Sequence, residues 1–169
     1  SENNYGVSLL NDCKYGYNIK DNVMKLSLLR SPKRPDPTAD MGTHDFTYAL
    51  LPHTGIVTEG DTIQEGAALN LPLQYFEGKA KDSGKAIVRL SDPSLYLDAV
   101  KRAEDGDGYV IRVHECRGGA HEVQLTSDYG IKRFAPCNLL EEKTGEIEEG
   151  GTISFGIKPF EIRSYRVWF

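Results

Sequence analysis

The second half of the chain alternates apolar and polar residues with a period of two, the pattern of half-buried β-strands. In GYVIRVHEC (108–116) and GTISFGI (151–157), every second position carries an apolar residue. A strand with one apolar side must bury that side against another layer of structure. The alternation therefore constrains this part of the chain to stacked sheets.

Four further segments after residue 85 have the same character, and glycine-rich turns separate several of them. They are AIVRL, LYLDAVKRA, HEVQL and EIRSYRVWF. The stretches EDGDG and RGGA supply residues that tolerate positive φ, as tight hairpins require. Short strands separated by such turns predict a β-sandwich.

The first half also favours strands, with one helical exception. NVMKLSLL (22–29) predicts a strand, three prolines predict a surface loop over 31–42, and HDFTYALLPH (44–53) predicts a second strand. Asp61 followed by Gln64 has the spacing of a capping box, so a short helix is expected to begin there and to stop at Pro72. The predicted fold class is all-β with one helical connector.

A polar, glycine-containing stretch, EGKAKDSGK, spans residues 77–85 and has little to bury. We expect a domain boundary in it, with one domain at 1–78 and another at 79–169. Because the chain starts without Met and ends in a strand-like segment, it is expected to be part of a longer protein.

Charge and apolar runs exclude two classes of partner. The net charge is -5 with scattered basic residues, so no positive stripe is available for nucleic acid. No apolar run approaches the roughly 20 residues of a membrane span. Cys13, Cys116 and Cys137 lack the spacing of a disulfide framework, which favours reduced thiols and a cytoplasmic location.

No motif identifies a reaction centre. His44, Asp45 and His53 flank one predicted strand, but local hydrogen bonding explains them better than a metal site. Cys13 lacks the surroundings of a catalytic thiol. GGAH and EGGT lack phosphate-loop patterns and are expected to be hairpin turns, and the acidic stretches are expected to be solvated.

The segment LLNDCKYGY (9–17) gathers Asn11, Asp12, Lys14, Tyr15 and Tyr17 around Gly16. Flat aromatic faces combined with donors and acceptors suit sugar hydroxyls, and they equally suit an ordinary polar turn. The residues alone leave both interpretations open.

A long segment, GVSLLNDCKYGYNIKDNVMKLSLLRSPKRPDPTADMGTHDFTYALLPH, closely resembles the C-terminal β region of glycoside hydrolase family 38, the α-mannosidases, of the bacterial and cytosolic type. The resemblance is weaker in EGAALNLPL and returns in NLLEE and IKPFEIRSYRV. It covers most of the chain.

This resemblance implies a fold and a role. It implies the closing strands of a galactose-mutarotase-like supersandwich, followed by a terminal β-sandwich. Family members carry the carboxylate nucleophile and a divalent metal, normally zinc, in an N-terminal barrel whose motifs have no counterpart here. The resemblance thus implies a chain that catalyses nothing alone, holds no cofactor, and supports a metal-dependent barrel that cleaves terminal α-mannosides with retention.

The resemblance also implies contacts at the rim of the sugar site. Arg30, in LLRSP, matches a family arginine that reaches toward the sugar, and Asp12 and Tyr15 are further candidates. Asn18 stands where many relatives have Asp, which argues against a required acid at that position. The partners implied are α-mannoside glycans and the barrel of the same protein.

Two alternatives remain. A stand-alone carbohydrate-binding β-sandwich would present a row of exposed aromatic rings, for which Tyr15, Tyr17, Tyr96 and Trp168 are candidates. A pure interaction domain would bind other proteins. The apolar strand faces at 22–29 and 46–50 need a covering surface. A second copy of the chain is one such surface, so self-association is also expected.

Overall fold

β-strands form nearly all of the regular structure. The computed structural model describes residues 4–59, 61–79, 81 and 84–169, which divide into unit 1, Ser1–Tyr75, and unit 2, Phe76–Phe169. The all-β fold class is confirmed. The assignment of these units to the two predicted domains, 1–78 and 79–169, stays a prediction. Within the described ranges, no helix has the length and apolar character needed to cross a bilayer.

Unit 1 contains two separate two-stranded sheets and one helix. Its elements are β1 (Tyr5–Asn11), β2 (Tyr17–Lys20), β3 (Val23–Leu26), β4 (Tyr48–Thr54) and α1 (Thr62–Asn70). β1 pairs antiparallel with β4, and β2 pairs antiparallel with β3. The supersandwich implied by the family resemblance needs more strands than these four, so that finer assignment stays a prediction.

The strands of unit 1 are shorter than their sequence pattern predicts. β3 ends at Leu26; the Ser27 amide still donates to the Gly16 carbonyl, 2.8 Å away, which continues the pairing with β2 by one residue, and the predicted proline loop follows. β4 begins at Tyr48, and its residues Ala49 and Leu51 are half-buried while Tyr48 and Leu50 face outward. The predicted helix is present at 62–70, but the Asp61 side chain makes no capping hydrogen bond.

Unit 2 is the predicted β-sandwich. Its strands are β5 (Arg89–Leu90), β6 (Leu95–Arg102), β7 (Tyr109–Glu115), β8 (His121–Thr126), β9 (Arg133–Cys137), β10 (Glu148–Glu149), β11 (Thr152–Ile157) and β12 (Ile162–Trp168). One sheet has the order β10-β9-β12-β7-β6, and the other has the order β11-β8-β5. The β6–β7 hairpin turns through EDGDG, where Gly106 and Gly108 have positive φ as predicted.

The core of unit 2 lies between its two sheets. Ile153 and Ile157 of β11 are buried while Ser154 and Gly156 are exposed, which confirms the alternation in GTISFGI. Each fully buried aliphatic side chain of this kind contributes about 1.5–3 kcal/mol. The main cluster consists of Ile111, Val113, Leu125, Ile131, Phe134, Ile153, Tyr165 and Val167.

Two predicted hairpins are wrong. RGGA links β7 to β8, and EGGT links β10 to β11, yet each pair belongs to two different sheets. The glycines do provide positive φ at Gly118 and Gly150. They mark sharp turns, but the chain uses these turns to pass from one sheet to the other.

The passage from β7 to β8 is fixed by Glu115, whose side chain is completely buried. Its carboxylate accepts hydrogen bonds from the backbone amides of Arg117 (2.8 Å), Gly118 (2.8 Å) and Phe160 (3.0 Å). Burial acts to raise the pKa of Glu115, but these amides outweigh it and the pKa is lowered overall. A buried charge therefore anchors the turn.

The outer face of the five-stranded sheet is also covered in part, by the loop that follows β9. The Arg112 guanidinium donates to the Leu139 carbonyl (3.3 Å), and Glu141 binds both Lys101 (2.8 Å) and the Glu104 amide (2.9 Å). Beneath this loop, Val110, Ala135, Ser164 and Arg166 are buried. The loop thus covers part of the outer face of this sheet, while Asp98, towards the other end of β6, stays exposed.

Candidate functional site

The polar segment after β1 forms an elbow, residues 12–16, that leads into β2. The Asn11 side-chain oxygen accepts hydrogen bonds from the backbone amides of Cys13 (3.1 Å) and Lys14. This pattern is an Asx turn, in which the side chain replaces a backbone acceptor. The high density of polar residues in LLNDCKYGY therefore has a conformational cause.

Asp12 ties the elbow to the start of β4. Its carboxylate accepts the Thr47 amide at 2.9 Å, and its own amide donates to the Thr47 carbonyl at 3.2 Å. Hydrogen bonds from the Cys13 thiol and the Thr47 amide lower the pKa of Asp12, and the same Asp12 contact raises the pKa of Cys13. A thiol with a raised pKa stays protonated and is a poor nucleophile.

Tyr15 is the large apolar residue of the elbow and is highly exposed, with 90% of its surface accessible. Its neighbour Lys14 instead folds back, placing its ammonium 4.8 Å from the centre of the Phe46 ring. The Gly16 carbonyl accepts the Ser27 amide, so the elbow backbone is fixed on both sides of Tyr15. Tyr15 is thus a projecting ring on a fixed support.

Arg30 lies in the loop after β3 and is exposed. It makes no hydrogen bond or ion pair with any residue that the structure describes. Arg30 follows Ser27 by three residues, a chain length of at most about 11 Å. Since Ser27 donates to the Gly16 carbonyl, the loop that carries Arg30 begins beside the elbow, although no described contact joins Arg30 to Asp12 or Tyr15.

A cavity of about 430 Å³ lies beside β1 in unit 1. Ser8 Oγ lies 3.0 Å from His53 Nε2 and 3.2 Å from Thr62 Oγ1, at the start of α1. His53 Nδ1 faces the Thr54 carbonyl oxygen at 3.3 Å. The apolar lining comes from Val7, Leu9, Ile19, Met24, Ile56 and Val57.

This Ser8–His53 pair was missed by the sequence analysis, because 45 residues separate the two side chains. Gly6 permits it: a side chain at position 6 would place its Cβ 2.3 Å from the His53 ring. The pair combines the Ser8 hydroxyl with the His53 imidazole, as nucleophilic hydrolases do. However, the other imidazole nitrogen faces a backbone carbonyl rather than the carboxylate that completes a catalytic triad. The clear role of the pair is to join β1, β4 and the start of α1.

The other histidines also bind locally. His44 Nε2 lies 3.0 Å from the Asp40 carbonyl oxygen, and His114 Nδ1 lies 2.9 Å from Asp98. Among the residues described, no group of three or more His, Cys, Asp or Glu side chains could hold a metal ion. The described residues therefore offer no such group for the divalent metal that the family resemblance implies.

Of the aromatic residues considered for a sugar platform, the two in unit 2 lie at opposite ends of β7 and do not form one row. Tyr96 packs on His114 at one end of β7, with 5.3 Å between ring centres. Trp168 pairs with Arg133 and follows Val167, the partner of Tyr109 at the other end of β7. Tyr15 and Tyr17 belong to unit 1, and Tyr17 is 45% exposed.

Two protein-family models match the chain. Residues 1–38 match the glycosyl hydrolases family 38 C-terminal domain. Residues 94–165 match the glycosyl hydrolases family 38 C-terminal beta sandwich domain. The second match falls within unit 2, in agreement with the sandwich found there.

Curated relatives match nearly the whole chain. Alpha-mannosidase G of Dictyostelium discoideum is 39% identical over 98% of this chain and 16% of its own length. Alpha-mannosidase 2C1 of Mus musculus is 38% identical over 97% of this chain and 17% of its own length. Alpha-mannosidase of Saccharomyces cerevisiae is 37% identical over 100% of this chain and 18% of its own length. The chain spans less than a fifth of these relatives.

Proposed function

The chain belongs to glycosyl hydrolase family 38, with matches to its C-terminal domains, and from this we propose that it is the non-catalytic C-terminal β portion of an α-mannosidase. The whole enzyme hydrolyses terminal α-mannosides with retention, at a metal-dependent barrel site outside these 169 residues. The metal is zinc or another divalent ion, and the enzyme is cytoplasmic. The role of the present chain is to support that barrel.

The main support for this proposal is that the described part of unit 1 has almost no buried residues. Among its described residues only Gly6 is buried, and Tyr5, Tyr48 and Leu50 are each more than half exposed. A two-stranded sheet is at best marginally stable alone in water. Unit 1 therefore requires a covering surface, which the rest of a longer enzyme supplies.

The strand edges of unit 1 support the same conclusion. In the described part of the chain, β1 pairs only with β4, so each seven-residue strand leaves one edge without a partner. Unpaired edges of apolar strands invite association with other chains. In the proposed enzyme, further strands of the supersandwich pair with these edges. In the isolated chain, the same edges favour self-association.

The elbow and Arg30 are proposed to contact the substrate at the rim of the sugar site. A planar guanidinium donates paired hydrogen bonds, which suits adjacent sugar hydroxyls. Tyr15 offers an exposed ring, while Asp12 has its carboxylate engaged by Thr47 and Cys13. Of the three proposed rim contacts, Arg30 and Tyr15 are thus better placed to bind sugar, and Asp12 to position the elbow.

Hydrolysis of 4-nitrophenyl α-mannoside tests the assignment. The purified 169-residue chain is expected to release no product with or without added Zn²⁺, whereas the longer protein encoded with it is expected to be active and to lose activity with a metal chelator. Release of mannose by the 169-residue chain alone would contradict the proposal.

Arg30→Ala in the longer protein tests the rim contact. Loss of a charged hydrogen bond to substrate is expected to raise KM roughly tenfold, with an unchanged thermal midpoint. Arg34→Ala, in the same exposed loop, is the matched control and should leave KM unchanged. Equal effects of the two substitutions on KM would show that Arg30 does not contact the substrate.

A free-standing carbohydrate-binding module explains the chain less well. It accounts for neither the open interior of unit 1 nor the match to relatives that are about six times longer. A sugar contact in unit 2 is nevertheless compatible with the supporting role.

A further inference from the structure

A second cavity, of about 440 Å³, lies at one end of the sandwich in unit 2. We propose that it is an accessory carbohydrate site, in which the pyranose ring of a mannoside stacks on aromatic side chains. The choice of a mannoside rests on the proposed function, while the existence of the site rests on the cavity itself. Its lining is Ile87, Gly108, Tyr109, Tyr129, Trp168 and Phe169.

The aromatic walls of this cavity are held in place before any ligand arrives. The Trp168 indole N–H donates to the Asp107 carboxylate at 2.8 Å, and the Arg133 guanidinium lies 4.6 Å from the centre of the indole rings. The Tyr109 and Phe169 rings pack at 5.5 Å with an angle of 60°. Preorganised walls reduce the entropy cost of binding.

Gly108 shapes the cavity at the end of the β6–β7 turn. Its φ is +85°, and a Cβ there would lie 2.8 Å from the Val167 carbonyl oxygen and 2.9 Å from Trp168 Nε1. Only glycine allows the indole to approach the backbone this closely. The turn therefore places Asp107 beside the indole and keeps the space next to it open.

The cavity exposes more apolar surface than folding of unit 2 requires. Tyr109 and Tyr129 are each 44% exposed and Ile87 is 50% exposed, although the sandwich core beside them is well filled. A concave surface lined mainly by aromatic rings, with a few polar groups and a volume of about 300–1,000 Å³, is the usual character of a small-molecule site.

The mixture of groups favours a sugar over other ligands. A pyranose ring presents one face of C–H bonds, which packs on an aromatic ring, and a rim of hydroxyls, which needs donors and acceptors. The phenols of Tyr109 and Tyr129, both of which line the cavity, provide these groups. A cationic ligand is disfavoured because Arg133 and Lys85 already lie over the Trp168 and Tyr129 rings.

The chain provides its own reporter for this site, because Trp168 is its single tryptophan. Tryptophan emission of the full 169-residue chain is measured during titration with an α-linked mannobiose. Mannitol is the matched control, since it carries the hydroxyls of a hexose but has no rigid ring face. Mannobiose is expected to shift the emission saturably in the millimolar range, and mannitol is expected to cause no saturable change.

Variants assign the signal to the cavity. Tyr129→Ala removes one ring wall at a half-exposed position and should weaken mannobiose binding roughly fivefold. Tyr129→Phe keeps the ring and should retain most of the affinity. Tyr75→Ala, at a tyrosine that is 85% exposed and outside the cavity, is the matched control and should bind as the unchanged chain does. Denaturation midpoints check that each variant is folded.

Three results would overturn the accessory site. They are the lack of a saturable change with mannobiose, an equal change with mannitol, and equal weakening by Tyr129→Ala and Tyr75→Ala. Saturation by adenosine monophosphate or by an apolar dye, without saturation by mannobiose, would likewise reject a sugar ligand. None of these results bears on the hydrolysis assay, so the supporting role and the accessory site can fail independently.

Discussion

Units 1 and 2 are both built from β-strands, but unit 2 buries apolar side chains in a core, whereas unit 1 leaves its apolar side chains exposed or half-buried. In the described part of the chain, every buried hydrophobic side chain lies in unit 2, between or upon its two sheets. Unit 1 has strands of similar length and residues of similar hydrophobicity, yet it leaves Tyr48 and Leu50 facing outward. Strand formation and core formation are thus separate properties of a sequence.

The difference arises from the number of layers. Unit 2 contains eight strands in two sheets, so the apolar faces of the two sheets meet and form a core. Unit 1 has four strands in two pairs, together with α1, which buries no residue of its own. Alternation along a strand shows that a face will be buried, but it does not show which part of a protein will bury it.

Separation of the units is expected to give the largest effect. Residues 76–169 alone should unfold cooperatively with a free energy of about 5 kcal/mol or more, as usual for a domain of this size. Residues 1–75 alone should lack a cooperative transition, because their strands have no shared core. Denaturant unfolding followed by circular dichroism measures both. A cooperative transition of 1–75 would break the comparison.

A pair of core and surface substitutions sharpens the comparison at single residues. Ile111 is completely buried in unit 2, so Ile111→Ala should reduce the free energy of unfolding of the full chain by about 4 kcal/mol. Leu50 in unit 1 is 63% exposed, and Leu50→Ala should change the free energy of unfolding by less than about 0.5 kcal/mol. Urea unfolding measures both values. A large effect of Leu50→Ala would indicate that unit 1 is already covered in the isolated chain.

Glu115→Gln tests the anchor between the two sheets of unit 2. Replacing one carboxylate oxygen by an amide N–H₂ group opposes backbone donors, so we expect a loss of about 2–3 kcal/mol at pH 7. Glu122→Gln, on an exposed position of β8, is the matched control and should have little effect. Equal effects of the two substitutions would contradict the anchoring role.

The pH dependence has a defined sign. The pKa of Glu115 is lowered in the folded chain, so its stabilising contribution is full above the ordinary glutamate pKa of about 4.3 and is lost as pH falls through the folded value. Unfolding measured at pH 7 and at about pH 3.5 should show a smaller pH difference in Glu115→Gln than in the unchanged chain. An identical difference would exclude Glu115 as a source of acid sensitivity.

Much of unit 2 could be predicted from the sequence, because alternation identifies strands that face a core. The predictions were wrong where a local signal has two structural meanings. Glycines at 118 and 150 indicate sharp turns, but not whether the next strand joins the same sheet. β9, which contains Pro136, was not predicted as a strand; β10 pairs only with Arg133 and Phe134, and beyond it the Pro136 carbonyl accepts the Thr144 amide at 2.9 Å.

The candidate sites were less accessible to sequence reasoning. The elbow was identified because its polar residues are adjacent, and its Asx turn is a local interaction. The Ser8–His53 pair and the aromatic cavity join residues that are distant in the chain, so no local pattern marks them. Glu115 resembles any acid near a turn, and only the fold reveals its burial.

The loop that carries Glu141 over the outer face of the five-stranded sheet limits how unit 2 can be attached to a larger protein. Where this loop crosses the sheet, a neighbouring domain would contact the loop rather than the strands beneath it. Leu139 and Leu140 lie on that loop and are 61% and 78% exposed. They are the apolar side chains that such a contact would bury.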